Sequence, residues 1–477
     1  MHSYIFILGR EPHFSVAELA AVGSDWNWSE AMLGREALGV STADAVDPVA
    51  LLKRLGGTVK IGEAWMEFSN DDFLLLKAAE VAKKIVERVP GDGKIRFGIS
   101  AYDCGAGAIR VNAMRKPLER LACGVKSVLA EQERSVRWVT SRERTLSSVV
   151  VVKNKLLAPS GAELLVLVAS DSVILAWTLA VQPFEDWSRH DYGRPGRDAR
   201  SGMLPPKLAR MMVNLAFGSE LADPAAGHPR PCSTALRAVG GPPTCVTHSP
   251  GAQTKTLLDP FCGSGTILTE AMMLGVGRII GSDVSTTAIA DAQRNIVWTR
   301  EHFGASSAAV VVEQRDAGKL SQFMPPASID AIVTEPYLGP PSGLRSVKIF
   351  SPSSSGARPR FAGQEEEKES ITTFSPSHRE GELEGVGTLR KLYLAAFHEF
   401  VRILKPGGRV VFVVPVFRAR GREQAIDISA DVMRLGFHRI NPFPVALRNN
   451  PLLGVAADLP YARPNQRIGR QILIFER

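Results

Sequence analysis

Little in this chain invites disulfide or metal chemistry. Its 477 residues hold five cysteines, Cys104, Cys123, Cys232, Cys245 and Cys262. They are scattered, odd in number and without a CxxC pair. That pattern argues against a disulfide framework and a zinc site, and for free thiols in a reducing cytoplasm. The nine histidines show no metal-ligand spacing, so no metal is expected. Long apolar runs are missing too: no stretch of about 18 uncharged apolar residues occurs, which leaves no candidate membrane span. The nearest, Leu164 to Val181, is broken by Asp171-Ser172 and reads as two short strands. The start, Met1-His2-Ser3 before Tyr4 to Leu8, lacks the basic and long apolar regions of a secretory signal. A cytoplasmic protein without membrane contact is the expectation.

What is present is ordinary in bulk and uneven in detail. Apolar residues make up 45% and charged residues 22%, which excludes wholesale disorder. At roughly 100–200 residues per domain, the length suggests two to four domains. The formal net charge is +8. Between Lys94 and Lys155 stand 13 Lys/Arg against 5 Asp/Glu, so this one segment carries an excess as large as the whole chain's. Phe97, Tyr102 and Trp138 are interleaved with it. Concentrated cations that displace condensed counterions suit a phosphate-bearing partner.

Four segments follow one another. Residues 1–60 form an α+β part: strand Tyr4 to Leu8, a turn at Gly9 to Pro12, and a helix capped by Ser15 with Glu18 in capping-box spacing. Residues 61–185 alternate strands and helices, with a strand at Ile95 to Ile99, an amphipathic helix at Pro117 to Glu131, a β-branched run at Val149 to Val152 and the Leu164 to Val181 hairpin. Residues 186–217 make a connector that ends in a helix opened by Pro205-Pro206. Residues 255–477 read as a doubly wound parallel α/β sheet. Its strands are expected at Thr256–Asp259, Arg278–Asp283, Ala309–Gln314, Ala331–Thr334, Arg409–Val414 and Gln471–Phe475. Two stretches, 218–254 and 340–387, have too few periodic apolar residues to offset their ordering entropy and are expected to be insertions.

The strongest chemical signal is Asp259-Pro260-Phe261-Cys262-Gly263-Ser264-Gly265-Thr266, where a strand ends in an acid, a Gly-rich turn follows and a helix begins. Glycines there let the backbone approach a ligand closely. The turn has neither a P-loop lysine nor the third glycine of a dinucleotide fold, so phosphates are not its main grip. The next two strands end at Asp283 and Asp316, one βα unit apart each. Acids at three successive strand ends suit a nucleoside with hydroxyls and an exocyclic amine. The fourth strand ends in Thr334-Glu335-Pro336-Tyr337-Leu338-Gly339, where a carboxylate, a proline and an aromatic can hold a flat amino-bearing base. Cys262 has no flanking His and is read as a packing residue. Trp26 and Trp28 are read likewise.

Asp259 to Thr266 resembles the cofactor motif of class I S-adenosylmethionine-dependent methyltransferases, and Thr334 to Gly339 resembles the (D/N)PPY signature of their amino-methylating branch. Here Glu335 stands for Asp/Asn, Tyr337 for the second Pro and Leu338 for the usual Tyr. Arg194-Pro195 and Gly202 to Ala209 resemble the helix before that motif in THUMP-containing tRNA guanine-N2-methyltransferases. Tyr461 to Pro464 and Phe6 to Arg10 fit the same group. The resemblance implies a C-terminal Rossmann-like class I methyltransferase domain with a seven-stranded mixed sheet, preceded by an α+β region: residues 1–60 ferredoxin-like, 61–185 a THUMP-like RNA-binding domain. It implies S-adenosylmethionine as cofactor, held by Asp259, Phe261, Gly263, Gly265, Thr266, Asp283 and Asp316, with Asp283 on the ribose and Asp316 on the adenine amine. Glu335, Pro336 and Tyr337 are the implied catalytic residues, and no metal is required. The implied partner is tRNA, held through the basic N-terminal half and methylated at guanine N2. Ribosomal RNA guanine N2, DNA adenine N6, or an inactive RNA-binding module are the alternatives, and a helper subunit is left open.

Overall fold

The computed structural model describes residues 1–477 apart from 75, 133, 198–202, 222–254, 305–307, 340–376, 420–421, 455–456, 464–465 and 467. Most of both expected insertions lies outside the described residues. The second one ends earlier than expected, because 377–387 already belong to the helix Ser377–Ile403. No helix among the described residues is long and apolar enough to cross a membrane.

The first half is one mixed sheet of eight strands: β1 His2–Leu8, β2 Asn27–Leu33, β3 Ala37–Thr42, β4 Thr58–Ser69, β5 Ile95–Asp103, β6 Val136–Val139, β7 Ala162–Val168 and β8 Ser172–Val181. Their order is β2-β3-β1-β4-β8-β7-β5-β6. The first four strands, with two intervening helices, have the antiparallel ferredoxin-like arrangement. The division expected at residue 60 falls inside β4, which pairs with β1 on one side and β8 on the other. Strand pairing therefore continues across it on both edges, with a register shift beside it on each.

Two local readings need correction. Val149 to Val152 is helical, within Ser148–Lys153, because the Ser147 hydroxyl accepts from the Val150 amide and starts a turn there. Capping outweighs β-branched preference. Ser15 does not cap the first helix, which begins at Pro12. Instead, its hydroxyl donates to Gly57 O at 2.6 Å. Buried Glu18 accepts from the Gly56 and Gly57 amides and from Asn214 Nδ2 at 2.7 Å.

Asn214 belongs to the helix Pro206–Phe217, in which every residue but Lys207 is buried. A helix buried on nearly every side is enclosed by other elements and needs partners for its polar groups, which Arg210 finds in Glu270 and Asn214 in Glu18. Here Leu208, Met212 and Leu215 join Phe6 and Phe14 of the first half and Leu257 and Ile267 of the second in one continuous core. What reads as a connector is the central pin of the molecule.

The second half is a nine-stranded sheet: β9 Thr256–Asp259, β10 Arg278–Asp283, β11 Ala309–Gln314, β12 Ile329–Thr334, β13 Leu404–Ala419, β14 Arg422–Ala425, β15 His438–Arg439, β16 Leu459–Tyr461 and β17 Ile468–Glu476. Seven lie in the order β11-β10-β9-β12-β13-β17-β15. The expected seven strands gain two short edge partners, β14 on β13 and β16 on β17. Strands β9 to β13 run parallel, and β17 runs antiparallel to β13. Val410 to Val414 are all buried, as a strand covered on both faces requires.

Candidate active site

Chain direction fixes where the site lies. In the order β11-β10-β9-β12 four parallel strands end side by side, and the order reverses at β9, the position where open α/β sheets bind ligands. Neighbouring strands lie about 4.8 Å apart. The acids at or just beyond their ends, Asp316, Asp283, Asp259 and Glu335, therefore line one rim in that sequence. A cavity of about 1300 Å³ opens there, and all four acids line it.

The carboxylates are held in different ways. Asp283 accepts from the Gly263 amide at 3.0 Å and the Ser285 amide at 2.9 Å, which ties the Gly-rich turn to the next strand. Asp316 accepts from Gly318 N at 2.9 Å and is exposed. Asp259 is buried, and its Oδ1 accepts from Thr334 Oγ1 at 2.6 Å and Phe261 N at 3.3 Å. Burial, aided by the carboxylates of Asp283 and Glu335, pushes Asp259 up to about 8 against those hydrogen bonds. Glu335 forms an ion pair with Arg470, which is 4% exposed: Nε faces Oε1, and Nη2 lies 3.5 Å from Oε2. Burial raises the Glu335 carboxyl and the guanidinium opposes it.

The two glycines serve different ends. Both have positive φ, 51° at Gly263 and 81° at Gly265. A Cβ on Gly263 would meet nothing within 4 Å, so that position faces the open cavity. One on Gly265 would lie 3.1 Å from Ala292 Cβ. Gly265 thus packs closely against the Thr286–Phe303 helix on its Cβ side. Phe261 and Thr266 line the cavity, and Thr266 Oγ1 accepts from buried Arg194 at 2.7 Å. Pro336 is buried and Tyr337 is 59% exposed, with Tyr393 Oη donating to Tyr337 O at 2.7 Å.

Several lining residues had no legible signal. Arg470, Ile468 and Gln466 come from the far end of the chain and Arg197 from the connector, which also brings in Met203 and Leu204 of the Gly202 to Ala209 motif. Asn295 anchors the connector by bonding both the N–H and C=O of Gly196 and donating to Ser264 O, each at 2.8 Å. The resemblance at Arg194-Pro195 and Gly202 to Ala209 was the signal that this stretch meets the site.

This strand order, with its Gly-rich turn and acid rim, defines a Rossmann-like methyltransferase domain. Residues 245–340 match the RMKL-like methyltransferase domain family. The chain is similar to the tRNA (guanine(10)-N2)-dimethyltransferase of Methanothermobacter thermautotrophicus, 28% identical over 152 residues, covering 31% of this chain and 32% of the relative. The enzyme of the same name from Pyrococcus abyssi is 28% identical over 136 residues, 28% of this chain and 29% of the relative. The match thus spans about a third of these relatives' length. The crystal structure of TrmN from Thermus thermophilus aligns over 100% of both chains at 15% identity with a TM-score of 0.44. The cofactor of such a domain is S-adenosylmethionine, and the donor set fits it: carboxylates for a cation and for hydroxyls, and an unobstructed turn at Gly263.

Proposed function

We propose that this protein methylates an exocyclic amine of a nucleobase in RNA, guanine N2 of tRNA, in the cytoplasm. The observation that carries the reading is the single rim on which Asp316, Asp283 and Asp259 adjoin Glu335-Pro336-Tyr337. When bound, S-adenosylmethionine supplies a sulfonium methyl: the amine lone pair forms the new N–C bond, the S–C electrons return to sulfur, and an N–H proton is released.

The chain's own residues bind and orient. Asp283, with both oxygens fixed by backbone amides, faces the ribose hydroxyls, and Asp316 the adenine amine. Asp259 sits at the ammonium end, and Phe261 and Thr266 wall the pocket. A guanine amine is a poor nucleophile because its lone pair is conjugated into the ring. An acceptor at its N–H group favours the tetrahedral nitrogen, and Glu335 with the carbonyls around Pro336 supplies acceptors there. Exposed Tyr337 offers a ring for the base to stack on.

The basic segment supports an RNA partner. Arg110, Arg134 and Arg144 are engaged internally, with Ser170 O, with Val89 O and Gly93 O, and with Glu36. Arg115, Lys116, Arg120 and Lys126 stand exposed along one helix, Arg115–Glu131. Binding through such a face weakens steeply with salt.

The test is nucleoside mass spectrometry of tRNA incubated with the protein and S-adenosylmethionine. N2-methylated or N2,N2-dimethylated guanosine is expected. Glu335→Ala should lower turnover by about 100-fold or more while cofactor affinity holds. Turnover equal to the parent's would refute the role of Glu335, and methylation of adenine alone would refute the substrate.

A further inference from the structure

The closest polar partner of Glu335 comes from far away in sequence. Arg470 lies on β17, two strands from β12 with β13 between, directly opposite Pro415 of β13. Its guanidinium reaches Glu335 across 135 positions of sequence and lines the same cavity. An arginine at the start of a buried apolar strand carries a large desolvation cost, so a well-formed acidic partner is required. Glutamate in turn has one more rotatable bond than aspartate and loses more freedom when fixed. A planar fork on both carboxylate oxygens removes that freedom, which a lysine's point charge does less well.

We propose that Arg470 is a positioning residue of the site, clamping Glu335 as an anion in one orientation so that its unengaged lone pairs face the amine slot. The inference rests on the methyl-transfer reading above. It makes the glutamate and the arginine one unit, each accounting for the presence of the other. The charged and titratable groups facing Glu335 are Asp259 from β9, Arg470 from β17 and Tyr393 from the Ser377–Ile403 helix. Only Arg470 among them is a cation. Asp259 and the buried phenol both disfavour a second negative charge.

The test compares Arg470→Met and Arg470→Lys with the parent protein. In the parent, kcat should fall at acid pH as Glu335 takes up a proton. Arg470→Met should move that acid limb up by one pH unit or more and lower kcat at least tenfold at pH 7, with partial recovery toward pH 9. The KM for S-adenosylmethionine should stay within threefold, and Arg470→Lys should restore most of the limb. An unmoved limb, or a loss carried by KM alone, would overturn the proposal.

A second measurement needs no activity. Between pH 6 and 9 the unfolding midpoint of Arg470→Met should drop more than the parent's, and adding Glu335→Gln should remove the excess. Without that coupling the clamp is refuted, whatever the turnover. With coupling intact but no RNA methylation by the parent, the assigned reaction fails and the ion pair stands.

Discussion

Two buried ion pairs, one in each half of the molecule, look alike on paper and are built differently. Lys60 and Glu163 lie within the first sheet at 1% and 0% side-chain exposure. Lys60 Nζ reaches Glu163 Oε1 at 2.5 Å and Leu146 O at 2.6 Å. Ser100 Oγ donates to Oε1 at 2.6 Å and Thr178 Oγ1 to Oε2 at 2.7 Å. Both carboxylate oxygens are occupied, and nothing faces solvent. Arg470 and Glu335 instead form a pair with one side open to a cavity. A sealed pair specifies how elements pack, whereas a half-open pair has acceptor capacity left for a ligand.

The largest expected effect breaks the sealed pair. Lys60→Met leaves the Glu163 carboxylate buried without its cation and should cost about 3–5 kcal/mol of stability by denaturant unfolding. Adding Glu163→Gln should return part of it. Activity per folded molecule should stay near the parent's, because neither residue approaches the cavity. A large loss of kcat in protein that remains folded would show that the two pairs are not separate in function.

Asp259 sharpens the contrast from the cavity side. Its carboxyl is raised from 3.8 to about 8, so the folded protein holds a proton that the unfolded chain releases. The associated stability is full below pH 4 and is lost as the pH rises to about 8. Asp259→Asn removes the titrating group. Its unfolding midpoint, measured without cofactor from pH 5 to 9, should decline less than the parent's. Equal slopes would place the proton elsewhere.

Legibility followed sequence distance. The turn from Asp259 to Thr266 and the acids at Asp283 and Asp316 were readable because a βα unit fixes strand-end spacing within a short stretch of chain. Continuous apolar runs located the parallel strands for the same local reason. Arg470 was invisible: its partner lies 135 residues earlier, and a charged residue opening a strand usually marks a solvated end. The Ser15–Glu18 pair misled because its spacing mimics a cap. In the folded chain both side chains reach the Gly56-Gly57 turn, and Glu18 goes on to the Pro206–Phe217 helix. Residue 60 lies inside β4, and a strand shared by two motifs leaves no composition change to mark where one ends. Long-range pairing, and one buried helix serving two sheets, are set by tertiary packing that a local pattern does not encode.

The smallest expected effects separate the two glycines. Both hold left-handed backbone, so alanine at either carries a conformational cost of roughly 1 kcal/mol. At Gly265 the new methyl also presses on Ala292 at 3.1 Å, in the packed contact between two helices. Gly265→Ala should therefore lose about 1–3 kcal/mol of stability, by strain and overpacking together. At Gly263 the methyl enters open cavity, so stability should fall only by the backbone cost. The cofactor's room shrinks there instead, and calorimetric affinity for S-adenosylmethionine should drop further than in Gly265→Ala. Reversed outcomes, with affinity lost at Gly265 and stability at Gly263, would mean that the cofactor lies on the helix side of the turn.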